Sequence, residues 1–424
     1  MWRNWTGDQT CTPAHRANPR TVQEVSSAVI AAAERGQVVR VVGGGHAFGD
    51  NVTTTGTLIS LDGLTGLHAV DRERGLVRVA AGTRLVELNA LLDEHGLALP
   101  NLGDINVQSV AGAISTATHG TGARFGNLAT LVESMEIVAA DGSVIELRDN
   151  DLRAGRVSVG ALGVVTAYTL RTVPSFHLHE RRAREPLAQV LEELDERVQR
   201  HDHVEFFVFP HARDALTKTL NRTQEPVRAG SERRAYLEEV ILENRVLDVV
   251  CRAGRRFPGS IPRLNRLVTA LAGSSDKVNV GHRVFSSPRL VRFTETEWAF
   301  PREACSEVLQ RMLTLIASRY DVNFPIEVRF TAADTQSMLS PSFDRDTAYL
   351  AFHMYQGMPW EDFFDSVRVV AAEYGARPHW GKRHTLDAAA LSELYPEWAA
   401  FQEVRCRLDP QGVFANVHIE RIFG

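Results

Sequence analysis

The stretch RVVGGGHAFGD, residues 40–50, constrains the fold more than any other: a run of valines ends in three consecutive glycines and a histidine. The valines read as the end of a buried strand, and the glycines as backbone that something must approach closely. A strand running into such a loop is a common way to present unobstructed backbone N–H groups to phosphates. A nicotinamide-type GxGxxG fingerprint is nevertheless absent. Phe48 stands where a third glycine would follow Gly43 and Gly45, and no later strand–helix–strand unit carries a ribose-binding acid.

Three further stretches carry chemistry. Residues 99–128, LPNLGDINVQSVAGAISTATHGTGARFGNL, gather Gly112, Ala113, Ser115, Thr116, Ala117, Thr118, Gly120, Thr121 and Gly122 without a lysine. Such a lining has little bulk and many hydroxyl and amide donors, which suits an extended cofactor with a pyrophosphate. In FPIEVRFTAAD, Glu327 and Arg329 stand at i and i+2 of a strand and leave one face, while Val328 and Phe330 turn to the other. An acid and an arginine projecting together could grip a polyhydroxylated substrate, and an ordinary surface ion pair is the alternative. His353, in the next strand, joins them as a candidate. In RPHWGKRH, Lys382 is a cation suited to a developing negative charge. A zinc site at His379 and His384 is rejected, because Lys382 and Arg383 lie between them and no third ligand has suggestive spacing, so no metal is expected.

At 424 residues the chain exceeds a single core, so at least two domains are expected. With 47 Lys plus Arg against 52 Asp plus Glu the net charge is -5, which favours a small-molecule partner over nucleic acid or an acidic membrane. Cys11, Cys251, Cys305 and Cys406 form no CxxC pair, which suggests neither a disulfide framework nor zinc and fits a reducing compartment. MWRNWTGDQT has no apolar signal region and no bilayer-spanning run follows, so a cytoplasmic protein is expected. The periodicity predicts helices in TVQEVSSAVIAAAERG and RLVELNALLDEHG, a hairpin turning at Asp141-Gly142, and a strand closed by Pro174. From about Pro186 the character changes. LAQVLEELDERVQRH reads as one amphipathic helix and VEFFVFP as a strand; residues 222–257 read as a polar loop and helix whose arginines form a solvated face. A helix with Pro301 near its start then precedes the strands of Glu327 and His353.

In their order along the chain, VVGGGHAF, AGAISTATHGTG, GALGVVT, TEWAFPRE, PIEVRFTAAD, RPHWGK and LDPQGVFANVHIERIF resemble the vanillyl-alcohol-oxidase-type flavoproteins. Within them the likeness is to the sugar-lactone oxidase branch, L-gulono-γ-lactone and D-arabinono-γ-lactone oxidases, with bacterial alditol oxidases as near relatives. The resemblance implies an α+β fold of two domains: a PCMH-type FAD-binding domain over residues 1–185, completed by residues 377–424, and an α+β substrate cap over residues 186–376. It implies that FAD is attached covalently through His46. It also implies that Val42, Gly43, Gly44, Gly45, Ala47 and Phe48 contact FAD, with Gly103, Ser109, Gly112, Thr116, Thr118 and His119, and with Gly163, Val164 and Val165. Glu327, Arg329, His353, Lys382 and Asp104 then line the substrate side. Ala47 stands where a serine is common.

Asp104 stands where alditol oxidases have a serine, and GDI with EVRF resembles the lactone oxidases more, so a sugar γ-lactone ranks before an open-chain polyol. The implied chemistry is hydride transfer from a carbinol carbon to the flavin. Lys382 or Arg329 stabilises the resulting charge, and oxygen reoxidises the flavin to give hydrogen peroxide. Gly103, beside the reactive flavin edge, is expected to keep the path of oxygen open; a dehydrogenase with another acceptor is the alternative. Asp104 and His353 are the candidate bases, and Glu327 is expected to be held ionised by Arg329. From other classes, a non-catalytic sugar-binding protein and, more weakly, a nicotinamide-dependent dehydrogenase stay in view.

Overall fold

The computed structural model describes residues 1–228, 243–286 and 289–424. The polar loop expected after residue 222 falls largely on residues 229–242, outside the described residues. Helix Val22–Glu34 forms where its periodicity places it: Thr21 caps it by accepting from the Glu24 N–H, and Val25, Val29 and Ala32 are buried. Strand Val39–Val42 follows and lies parallel to Thr57–Ser60, which is parallel in turn to His15–Ala17. Beside them stands an antiparallel sheet in the order Val144–Leu147, Val132–Val138, Val164–Arg171, Leu76–Ala80, Leu67–Asp71. Its first two strands meet at the expected Asp141-Gly142 turn, where Gly142 takes a φ of +81° that favours glycine.

These elements share a core that the end of the chain completes. Val29, Val79, Leu88, Ala113, Ile137 and Val164 pack in one cluster with Trp380, Phe401, Phe414 and Ile422. Arg40 sews the same parts together. Its buried guanidinium donates to the carbonyls of Asn51, Val159 and Phe414 at 2.7–2.9 Å and to that of Gly160 at 3.1 Å. A buried cation is tolerated because these oxygens replace its water.

The second core lies against an antiparallel sheet of eight strands, in the order Ser275–Val280, His177–Pro186, Asp214–Thr223, His203–Val208, Ile326–Thr331, Thr347–Tyr355, Phe293–Pro301, Arg377–Pro378. Phe206, Val328, Phe330, Phe352 and Trp298 join in it with Val308, Met312 and Ile316 of helix Cys305–Arg319 and Phe363 and Val367 of helix Glu361–Glu373. Alternation along each strand sends the intervening residues to the opposite face, toward the first core.

Two sequence expectations are corrected. The single helix expected from Leu187 is two, Leu187–Glu192 and Leu194–Arg200; at Glu193 the backbone turns to φ −93°, ψ 9°, and Leu194 and Val198 reach the core beside Val190. Pro301 does not open a helix but ends strand Phe293–Pro301, and helix Cys305–Arg319 starts after a short 3-10 turn. Arg245, Arg252, Arg256, Arg263 and Arg266 are exposed on helices Glu243–Arg256 and Ile261–Leu271, as expected of a solvated face. Among the described residues no helix is long and apolar enough to cross a membrane.

Candidate active site

A cavity of about 550 Å³ lies where the glycine-rich loops meet the free face of the eight-stranded sheet. On the loop side it is lined by residues 41–49, by residues 103–109, and by Gly112, Ser115, Thr116, Gly160 and Gly163. The glycines are required by close approach of two loops: a Cβ on Gly43 would meet Ser109 Oγ at 2.0 Å, and one on Gly44 the Val107 carbonyl oxygen at 2.7 Å. Ser109 also caps helix Val110–Ser115, accepting from the Gly112 N–H at 3.1 Å. At this wall the Oε1 atom of Gln108 is buried with no hydrogen-bond partner. A volume within the roughly 300–1,000 Å³ usual for ligand sites, small-residue walls and an orphaned acceptor fit a large cofactor with donor groups.

The sheet side is charged, and strand register explains how the charges meet. Glu205 lies opposite Arg329, and Glu295 opposite His353. The Arg329 guanidinium contacts Glu205 at 2.9 Å, Asp104 at 2.5 Å, and Glu327. Asp104 is also paired with Arg289, and Glu205 with Lys218 at 2.8 Å. Further along, Lys382 Nζ sits 2.6 Å from Glu295 and 3.8 Å from Glu297, while His119 Nε2 lies 3.2 Å from the other oxygen of Glu297. His119 donates from Nδ1 to the Gly120 carbonyl at 2.8 Å and stacks on Tyr349 at 3.6 Å. His119, Glu297 and His379 each bring a ligand atom within 4.8 Å of the others. Burial keeps His379 neutral, however, and its Nδ1 accepts from the Gly381 N–H, so its other nitrogen carries the proton and offers a cation no lone pair.

Environment drives the two central acids apart. Burial opposes ionisation of Asp104, but Arg329 and Arg289 overcome it and hold the carboxyl well below the usual range. Burial pushes Glu327 up to about 8; Arg329 opposes the push and Asp104 adds to it. The expectation that Arg329 holds Glu327 ionised is therefore corrected, because the charge of Arg329 is already shared with Asp104 and Glu205. Asp104, locked as an anion between two arginines, is a poor proton acceptor. His353 is the better one: burial lowers its pKa, its Nδ1–H is donated to the Pro325 carbonyl at 3.1 Å, and Nε2 keeps its lone pair.

The sequence-derived candidates converge on this cavity. His46, Lys382, Asp104, Glu327, Arg329, His353 and all the candidate FAD contacts line it, except Val164. Val164 is corrected: its strand alternates, so Val165 reaches the cavity while Val164 is wholly buried in the first core. Sequence reasoning missed Glu205, Arg289, Glu295 and Glu297 as site residues. In FTETEWAFP, Glu295 and Glu297 stand at i and i+2 of one strand, the same spacing that singled out Glu327 and Arg329. Arg289 is brought in only by tertiary packing.

Comparison with known proteins agrees with this geometry. Residues 13–148 match the model of an FAD binding domain, and residues 168–422 that of D-arabinono-1,4-lactone oxidase. Over 426 residues the chain is 46% identical to the L-gulono-1,4-lactone dehydrogenase of Mycobacterium tuberculosis, covering 100% of this chain and 99% of that one. It is 31% identical to the L-gulonolactone oxidase of Bos taurus, covering 100% and 98%. It is 30% identical to an alditol oxidase of Streptomyces sp., covering 98% and 97%. The structure of cholesterol oxidase from B. sterolicum superposes with a TM-score of 0.83 at 16% identity, covering 100% of this chain and 96% of that one, and shows the same two-domain α+β fold. The sugar-binding and nicotinamide readings fall away. The chain belongs to the D-arabinono-1,4-lactone oxidase family and is an FAD-dependent aldonolactone oxidoreductase acting on CH–OH groups.

Proposed function

We propose that this chain oxidises a CH–OH carbon of a sugar-derived γ-lactone, with FAD held by residues 1–185 and 377–424 and the lactone received by residues 186–376. The observation that carries this reading is one cavity walled on one side by small-residue loops and on the other by paired charges. FAD, when bound, supplies the hydride acceptor. His353 takes the hydroxyl proton at Nε2, and protonated Glu327 donates a hydrogen bond to a substrate oxygen. Arg329, fixed by the Asp104 and Glu205 carboxylates and the Glu327 carboxyl group, and Lys382, held between Glu295 and Glu297, present positive charge where negative charge develops.

His46 is the covalent attachment point in this reading. Burial, with Arg84 and Lys382 nearby, brings its pKa down to about 4, which leaves a neutral nucleophilic ring. Oxygen is the acceptor in the first reading, supported by the relatives named oxidases. A second reading, transfer to another acceptor, is supported by the relative at 46% identity, which is named a dehydrogenase. Gly103 also has a packing account that is independent of oxygen: a Cβ there would press on the His119 carbonyl oxygen at 3.1 Å and Thr118 Cγ2 at 3.4 Å.

Anaerobic mixing of the yellow protein with L-gulono-1,4-lactone is expected to bleach the flavin band faster than xylitol does. Faster bleaching by xylitol makes the chain an alditol oxidase instead. Admitting air then decides the acceptor: rapid return of colour with hydrogen peroxide supports the oxidase, and return only with an added dye supports the dehydrogenase. Acid precipitation tests the tether, because covalent flavin stays in the pellet and His46→Ala releases it.

A further inference from the structure

Residues 1–12 lie outside both matched regions, which begin at residues 13 and 168, yet Trp2 and Trp5 line the cavity. Strand Trp2–Arg3 pairs with Thr10–Cys11, and the residues between them form a tight excursion. Asn4 organises it. Its Oδ1 accepts from the N–H groups of Gly7 at 2.8 Å and Gln9 at 3.1 Å, and its backbone N–H donates to the Gln9 carbonyl at 3.0 Å. The excursion is tied to the sheet side as well: Gln356 donates to the Thr6 carbonyl at 3.1 Å, and Asp8 pairs with Arg383.

This preformed strap meets the glycine loop at three successive residues. The Trp5 N–H donates to the Gly45 carbonyl at 2.8 Å, and Asn4 Nδ2 donates to the Ala47 carbonyl at 3.2 Å. Between these bonds the Trp5 indole stacks on the His46 imidazole, with centroids 5.5 Å apart and planes 26° apart. The indole is itself braced edge-on by Phe293 at 5.7 Å. His46 follows Gly45, whose φ is +65°, so the loop alone has little to fix the ring's direction.

We propose that Trp5 is a positioning residue for covalent attachment of FAD: its indole plane holds the His46 imidazole in the orientation from which a ring nitrogen bonds the 8α carbon of FAD. The proposal rests on the tether reading above. The bond replaces one hydrogen of the 8α-methyl group with the imidazole nitrogen. That hydrogen and the one lost from the ring nitrogen leave with two electrons to molecular oxygen, giving hydrogen peroxide. Trp5 takes no proton and makes no bond; it restricts the ring to near-attack geometry, where an error of about 1 Å costs on the order of 100-fold in rate.

The test uses the full chain as wild type, Trp5→Ala, Trp5→Phe and His46→Ala, each prepared free of flavin and then given FAD. Total flavin is read by absorbance and covalent flavin in the acid pellet over time. Trp5→Ala is expected to bind FAD within about twofold of wild type while attaching it roughly tenfold or more slowly, and Trp5→Phe, which keeps an aromatic plane, restores most of the rate. Attachment by Trp5→Ala at the wild-type rate overturns the proposal. If Trp5→Ala does not fold, Trp5→Leu, which keeps bulk without a plane, takes its place with the same two outcomes. Wild-type flavin that leaves wholly with the acid supernatant overturns the tether itself, a result distinct from equal rates in wild type and variant.

Discussion

Glu327 keeps its proton in a pocket that holds Asp104 and Glu205 ionised, and this has a measurable consequence for stability. An unfolded glutamate loses its proton near 4.5 and the folded one near 8, so between these values the folded chain binds the extra proton and stability falls as pH rises, levelling above 8. Glu327→Gln, neutral at every pH, should flatten that part of a plot of Tm against pH; an unchanged slope between pH 5 and 8 contradicts the assignment. The two candidate bases separate kinetically. His353→Ala should slow anaerobic flavin reduction by roughly 100-fold or more with FAD content unchanged. Asp104→Asn frees Arg289 and Arg329 of a buried partner, so its defect should be greater in KM and thermal stability; stopped-flow traces and melting curves check this. Arg329→Ala should lower the reduction rate by about 100-fold, since it removes charge that Asp104, Glu205 and Glu327 hold in place.

At the scale of elements, the strand and the loop carry different constraints. The glycine loop is defined by what it must approach. Gly43→Ala places a methyl group against the Ser109 hydroxyl, and should cost about 1–3 kcal/mol and lower the ratio of bound FAD to protein, read from absorbance. Gly36→Ala, with open space around its Cβ position but a φ of +61°, strains only its own turn and should leave FAD content unchanged. The strand of Glu327 and Arg329 was legible because period-two alternation is local: Val328 and Phe330 turn inward as the pattern requires. Glu295 and Glu297 carried the same pattern, but without the sheet register nothing pointed them at Lys382, which lies some eighty-five positions later in the chain. Arg289, close in space to Asp104, is 185 residues from it in sequence, and no local period encodes such a contact. The break at Glu193 was invisible for a related reason, since LEEL reads as continuous helix and only packing of Leu194 and Val198 requires the turn.

At the scale of the molecule, the two cores differ in how they draw on the chain. The second is built from residues between Val190 and Ala376, whereas the first combines residues from Val25 onward with Trp380, Phe401, Phe414 and Ile422. Phe401→Ala, at a fully buried position, should cost about 3–5 kcal/mol. It should also release FAD at a lower temperature than wild type, which flavin fluorescence during heating reports. The same arrangement fixes an order of events during synthesis. A ribosome adding about 5–20 residues per second delivers the middle of the chain complete, while the earlier part waits on the order of tens of seconds for its closing side chains. Through that interval the apolar faces of Val29, Val79 and Leu88 lack Trp380 and Phe414 beside them, so the nascent chain should expose apolar surface until its last residues arrive.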